Sequence, residues 1–305
     1  MTGVTQAVFM NQRSFITVPD APTIGTATKT GSTTATVSFT APAFDGGATI
    51  TLYTAIDQTS TTRGTLAQAG SGTINLTGLT GNTNYTFRVF ATNSVGNSAN
   101  SAASNQITTD LQVGQSFGGG YFAGQISTAG TGVANYNLVI APVASGQTSG
   151  KEWKTSNTST AGTSSVIDGP TNSSNMNNAT HPAAQFCEGL SIGGFSDWYM
   201  PAKNELEVCY YNLKPTTTSN NTSSGTNTNA VPSRGSNYTS GTPAQTSATD
   251  FKSGGTEAFA AGYYWSSTGN SASYAWLQFF NSGGQYSYSP KTYSTRVRAV
   301  RRVAV

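Results

Sequence analysis

The run Tyr85-Thr86-Phe87-Arg88-Val89-Phe90-Ala91 decides the fold of the first hundred residues. Tyr85, Phe87, Val89 and Ala91 form one apolar set, while Thr86, Arg88 and Phe90 fall on the opposite face, the period-2 pattern of a half-buried strand. Upstream, Thr34-Ala35-Thr36-Val37-Ser38-Phe39 and Thr49-Ile50-Thr51-Leu52-Tyr53 read as further strands. Turn chemistry separates these runs at Asp45-Gly46-Gly47, Gly70-Ser71-Gly72, Gly81-Asn82 and Val95-Gly96-Asn97. Short strands at this spacing predict a β-sandwich over residues 18–110.

The same stretch resembles a fibronectin type III domain. The residues that carry the likeness are Pro19-x-Ala21-Pro22, Ala35-Thr36-Val37-Ser38-Phe39-x-x-Pro42, and the long run from Leu76-Thr77-Gly78-Leu79 through Thr83, Tyr85, Phe87, Val89, Ala91 and Asn93 to Gly96. Tyr85 stands where that family places its corner tyrosine, so the resemblance implies a structural anchor there. Phe39 stands where the family usually has Trp, and an aromatic still fills that volume. The resemblance implies a spacer or interaction module, not a catalyst.

Residues 1–17 precede the first proline-rich boundary and are too few to enclose a core. Val8, Phe9, Met10, Phe15 and Ile16 give them more apolar side chains than a solvated tail requires, so the expectation is either a frayed terminus or an arm that orders on docking to a partner.

Residues 111–305 read differently. Strands are expected at Gly118–Ile126 and Asn137–Pro142, and short helices at about 183–190 and just after Pro201, where Leu206, Cys209 and Tyr210 share a face. Residues 214–253 are dominated by Thr, Ser, Asn and Gly, which predicts a long excursion loop presented outward unless neighbours hold it. The expected fold class is mainly β: a sandwich followed by an α+β domain with a small sheet and two short helices.

Three blocks stand out in this part: Gly193-Gly194-Phe195-Ser196-Asp197-Trp198-Tyr199-Met200-Pro201-Ala202-Lys203-Asn204-Glu205-Leu206, Tyr263-Tyr264-Trp265-Ser266-Ser267-Thr268, and Arg296-Val297-Arg298-Ala299-Val300-Arg301. Together they resemble the Legionella collagen-like adhesin C-terminal domain family, a C-type-lectin-like fold. Tyr199 and Met200 depart from the family's Arg and Leu, and Ala299 stands where it often has Cys, so a bridge from Cys187 to that strand is impossible. The resemblance implies receptor or glycan binding and supplies no residue-level pocket.

Composition narrows the function. Charged residues are 9% of the chain, and 15 basic against 12 acidic residues leave a net charge of +3, too weak and scattered for a nucleic-acid footprint. No apolar run approaches the roughly 18 residues of a membrane span, so no membrane insertion is expected. The stretch Ala7-Val8-Phe9-Met10 is far shorter than the core of a secretion signal. Cys187 and Cys209 form one bridge at most, and buried reduced thiols are the simpler reading.

Candidate binding residues are Tyr286, Tyr288 and Tyr293, able to stack on sugars or mate with a protein, with ordinary strand decoration as the alternative. Arg301 and Arg302, in the densest positive cluster, are either a solvated strand face or a site for acidic polysaccharide. Trp198 and Trp265 read as core anchors. His181, the single histidine, has no partner spacing for a catalytic site, and Pro182 after it marks a helix start. Glu152, Asp168, Asp197, Glu205 and Glu207 are carboxylates without a motif. No cofactor, zinc or calcium-dependent sugar site is expected, since Ala202 and Lys203 follow Pro201.

Extracellular-type modules with no export signal suggest a bacteriophage virion protein, released by lysis. The expected function is a tail fibre or adhesin that contacts a host surface glycan or receptor, non-enzymatic and oligomeric, with a trimer as first guess. A capsid or tail decoration protein and a polysaccharide depolymerase are the alternatives.

Overall fold

The computed structural model describes residues 15–305, in two compact units divided between Gln112 and Val113. Val8, Phe9 and Met10 lie outside the described residues; Phe15 is 82% exposed. Thr17 is already tied to the first unit, its N–H donating to Gly46 O at 2.8 Å and its carbonyl accepting from Asn93 Nδ2 at 2.6 Å.

The first unit is a sandwich. Its strands are β1 (Thr23–Lys29), β2 (Ala35–Thr40), β3 (Leu52–Asp57), β4 (Thr62–Leu66), β5 (Gly72–Leu76), β6 (Asn84–Tyr85), β7 (Phe87–Thr92) and β8 (Ile107–Thr108). One sheet runs β1-β2-β5 and the other β4-β3-β7, with β6 paired to β8. The alternation of the opening run is realised: Tyr85, Phe87, Val89 and Ala91 are buried, and Arg88 is exposed. Phe39 packs its ring 4.2 Å from that of Tyr53, occupying the volume foreseen for it. Tyr85 is buried, and its hydroxyl accepts the Thr80 N–H at 2.9 Å, the corner contact the resemblance implied.

The outer edge of β7 is closed in an unusual way. Ser98, Ser101 and Ser104 recur every three residues, and each Oγ accepts one β7 N–H, from Ala91, Val89 and Phe87 in turn, at 2.9–3.0 Å. The N–H of each of these serines returns the bond to the carbonyl of the same residue at 2.8–2.9 Å. Serine hydroxyls thus replace carbonyls that a regular neighbouring strand would offer. Ser101→Ala is expected to leave the buried Val89 N–H unpaired and to cost about 1–3 kcal/mol, read as a lower denaturation midpoint of the first unit by far-ultraviolet circular dichroism.

The second unit has two five-stranded sheets. Its strands are β9 (Ser116–Phe117), β10 (Gly120–Ile126), β11 (Tyr136–Ile140), β12 (Gln147–Glu152), β13 (Ala230–Val231), β14 (Tyr263–Gly269), β15 (Tyr274–Phe279), β16 (Gln285–Pro290), β17 (Ser294–Arg298) and β18 (Val300–Ala304). One sheet is β13-β10-β11-β18 with β9 beside β10; the other is β12-β17-β14-β15-β16. The strands β17 and β18 are separated by Ala299 alone, so one arginine-bearing segment passes from the second sheet into the first. Ala299 exchanges backbone bonds with Ala141 and Gly146 at that crossing.

Four helices accompany the sheets: α1 (Val143–Gly146), α2 (Gly169–Ser174), α3 (Pro182–Glu188) and α4 (Lys203–Leu213). The last two answer the expectation; the first two are short and carry no apolar periodicity. At the start of α4, Glu205 Oε2 accepts the Ala202 N–H at 2.8 Å and Thr268 Oγ1 accepts the Lys203 N–H at 2.9 Å, so partners from within and beyond the helix satisfy its free donors. Leu206, Cys209 and Tyr210 are buried together, but so are Glu205, Glu207, Val208 and Leu213. The helix is enclosed rather than half-solvated.

Residues 214–253 depart from the outward loop that composition suggested. They are mostly irregular, yet Lys214, Asn220, Asn227, Asn229, Ala230, Tyr238 and Phe251 are buried. Polar side chains supply the cohesion. Glu207 of α4 accepts from Asn227 Nδ2 at 2.6 Å and from the Tyr238 hydroxyl at 2.7 Å, and pairs with Arg234. Lys214 Nζ donates to Thr218 O, Asn220 Oδ1 and Pro243 O, and the Tyr210 hydroxyl also reaches Asn220 Oδ1 at 2.7 Å. Gly225, at φ +116°, lies against the Tyr238 ring so closely that a Cβ would come within 2.3 Å of it. A segment poor in apolar side chains is ordered here because its amides find buried partners.

Candidate functional site

A groove of about 490 Å³ opens beside the edge strand β16 of the second unit. Period-2 exposure along β16 turns Tyr286 and Tyr288 outward, 40% and 78% exposed, and Tyr293 follows at 47%. All three line the groove, with Tyr263, Leu277, Gln285 and Pro290. The sequence-predicted tyrosines are therefore brought together.

Their neighbours come from β14 and β15. Tyr263 and Phe279 are register partners of β14 and β15, stacked with centroids 4.5 Å apart, and Tyr286 stands edge-on to Tyr263 at 5.9 Å. Tyr288 meets Tyr274 edge-on at 6.0 Å, and Tyr293 meets the buried Trp265 at 6.4 Å. Such contacts hold the rings in set orientations and leave faces free for a ligand. No charged residue lines the groove. Gln285 adds an amide whose Nε2 is buried without a protein acceptor among the described residues.

Arg301 and Arg302 are not a surface patch. Adjacent residues of a strand point to opposite faces, and each guanidinium is drawn into a different structural pair. Arg301 holds Asp197 through Nε at 2.7 Å and Nη2 at 3.0 Å, donates to Gly118 O, and lies 3.8 Å from the Phe195 ring centroid. Arg302 donates to Glu205 Oε1 and Ile167 O and lies over Tyr136. Burial raises the Glu205 carboxyl above its usual range, while Arg302 and the Tyr199 hydroxyl at 2.6 Å oppose that rise. Both arginines are buried or nearly so, which removes them as polysaccharide contacts.

The three motif blocks meet as scaffold. Trp198 Nε1 donates to Phe195 O at 3.1 Å, closing the 193–198 turn, and Tyr199 bridges Val300 by a backbone pair. Trp265 Nε1 donates to Lys151 O and Tyr293 O, and the Ser267 N–H reaches Pro201 O. Trp198 and Trp265 are thus buried anchors.

Nor do the titratable groups converge. His181 is buried at the start of α3, its Nε2 2.9 Å from Thr160 Oγ1 and its Nδ1 2.8 Å from Asn178 Oδ1. Asn178 Oδ1 is a carbonyl oxygen that can only accept, so Nδ1 carries the proton, and in the neutral ring Nε2 accepts from the Thr160 hydroxyl. Burial, with Lys154 and Lys291 nearby, pushes its pKa down to about 4. Among the carboxylates, Asp168 caps α2, Asp197 and Glu205 hold arginines, and Glu207 anchors residues 227–238. None of them, nor Glu152, lines the tyrosine groove. Among the described residues no cluster of three or more His, Cys, Asp or Glu is placed to hold a metal ion. Both cysteines are free and buried, and burial pushes both thiols up.

Comparison with known proteins agrees with this architecture. Residues 143–301 match the Lcl C-terminal domain and residues 20–107 the fibronectin type III domain. The chain belongs to the Lcl C-terminal domain family. In this Lcl-type chain the family match takes in the motif blocks, the tyrosine groove and the Arg301–Asp197 pair. Both matched domains are binding or adhesin-type rather than catalytic.

Solved structures similar to the chain include titin kinase and its flanking domains (30% identity, TM-score 0.27, 30% of this chain and 17% of that one) and the twitchin kinase region from C. elegans (22%, 0.27, 31% and 17%). The FN5 domain of Drosophila Lar is similar at 26% identity and TM-score 0.23, over 31% of this chain and all of that one. The chain thus spans about 17% of the titin and twitchin chains it matches. No curated protein matches it.

Proposed function

We propose that this protein is an adhesin whose tyrosine groove binds neutral sugar rings of a host surface glycan, with the sandwich as spacer. One observation carries the reading: a cluster of exposed, mutually oriented tyrosines lines an open groove with no charged residue. Aromatic faces stack on the apolar faces of sugars while tyrosine hydroxyls and serines offer hydrogen bonds, a combination suited to uncharged, hydroxyl-rich ligands. The setting we propose is a bacteriophage tail fibre in which residues 1–17 dock to other virion proteins. Several copies, a trimer first, would multiply weak single contacts.

Tyr288→Ala is expected to weaken binding to host envelope glycan by roughly thirtyfold. Because Tyr288 is so exposed, the same change should leave the unfolding midpoint almost unmoved. Glycan binding measured by surface plasmon resonance, alongside thermal unfolding, checks both halves. Unchanged affinity in a Tyr286→Ala/Tyr288→Ala double variant overturns the groove as the contact surface. New reducing ends after incubation with the glycan would favour the depolymerase reading. Normal adsorption but fragile particles on deleting the chain would favour the decoration protein.

A further inference from the structure

A second pocket, of about 260 Å³, lies between the turns at 159–164 and 269–272. Its lining is hydroxyl- and amide-rich, including Thr160, Thr163, Ser164, Asn270 and Ser271, and holds one charged residue, Lys291. Lys291 is 1% exposed, its Nζ 4.4 Å from the centre of the Trp153 ring.

The ammonium is short of partners. An ammonium carries three donors, and among the described residues Lys291 Nζ has one acceptor, Thr158 O at 3.2 Å. Lys214, equally buried, shows what a satisfied lysine of this chain looks like, with three acceptors around its Nζ. A second cation crowds the first: Lys154 Nζ lies 3.4 Å from the same Thr158 carbonyl and donates to Thr160 Oγ1, a pocket residue. The buried Arg298 and Arg301 and the half-buried Arg234 and Arg302 each face a carboxylate, whereas neither lysine is in an ion pair among the described residues. His181, against Thr160, is neutral and adds no negative charge.

We propose that this pocket binds a small oxyanion, a carboxylate or a phosphate, seated on the Lys291 ammonium and the surrounding hydroxyls. The anion supplies the acceptors that Lys291 lacks and the negative charge that two converging ammoniums call for. Burial and the neighbouring Lys154 push the Lys291 pKa down to about 8, as expected of a cation site without its counter-charge. The pocket is separate from the tyrosine groove, and this inference does not rest on the glycan reading.

The test is isothermal titration calorimetry on the full chain at pH 7 and fixed ionic strength in sodium chloride, with sodium phosphate in one arm and sodium glucuronate in the other. At least one arm should give a saturable isotherm. Saturation by phosphate alone assigns a phosphate ligand, and by glucuronate alone an acidic sugar; either outcome supports the site. Lys291→Met should weaken that binding about tenfold or more. Asn270→Asp, on the exposed turn at the pocket mouth, should weaken it too, and decides the matter if Lys291→Met does not fold. No saturable heat in either arm, or full affinity in the folded variants, overturns the proposal.

Discussion

Arg298→Met is expected to destabilise the second unit by about 3–5 kcal/mol, the usual cost of removing one partner from a buried ion pair. The side chain is fully enclosed, with Nε on Ala141 O at 2.7 Å, Nη1 on Glu257 O at 2.9 Å and Nη2 on Glu257 Oε2 at 2.8 Å. Its guanidinium also lies over the Phe259 ring. Methionine can refill much of the volume but none of the donors. Glu257 would keep the Val143 N–H and the long Tyr121 hydroxyl contact, and lose its counter-charge.

All four tryptophans, Trp153, Trp198, Trp265 and Trp276, lie in the second unit, so intrinsic tryptophan fluorescence during urea denaturation reports on it alone. Adding Glu257→Gln should recover part of the loss by removing the orphaned charge. A single variant within about 0.5 kcal/mol of the parent would show that the pair is not a cohesive element.

Glu207→Ala should have an effect of similar size, about 3–5 kcal/mol, but a different spatial signature. Its carboxylate is the shared acceptor for Asn227, Arg234 and Tyr238, residues spread over a segment with little apolar material of its own. Asn227 in turn orders Asn229 and Ala230 through Oδ1, and Asn229 connects to Ser127. Losing the acceptor should release residues 227–238 before the rest of the unit opens. Hydrogen exchange there should accelerate ahead of the core strands, and trypsin should cut at Arg234 while α4 still resists. Uniform acceleration across the whole unit would contradict local anchoring.

The contrast between these two residues and their sequence appearance explains what could be read in advance. The sandwich was legible because Tyr85, Phe87, Val89 and Ala91 fall at every second position, with Thr86 and Arg88 on the opposite face, the period of a half-buried strand. The serine closure at Ser98, Ser101 and Ser104 was not, because small polar residues at period three match no strand or helix template. Residues 214–253 misled because composition counts apolar side chains, and their order comes from amides and one buried carboxylate. Arg301 and Arg302 misled because adjacency in sequence is opposition on a strand.

Part of the candidate site could be seen. Tyr286, Tyr288 and Tyr293 stand out as exposed aromatics in a turn-rich segment, but Tyr263, Tyr274 and Leu277 join them only through the pairing of β14, β15 and β16. The lysine pocket left no trace in the sequence, since Lys154 and Lys291 are far apart along the chain and meet at a single backbone carbonyl.

The passage of one segment through Ala299, from the second sheet into the first, also bears on synthesis. Neither sheet of the second unit is complete until residues 294–304 have left the ribosome, so the earlier strands emerge with open edges and nothing to close them. A translation product stopped before Ser294 would lack both β17 and β18 and should be recognised by quality control as incompletely folded. Only copies that include residues 294–304 would then carry an intact tyrosine groove.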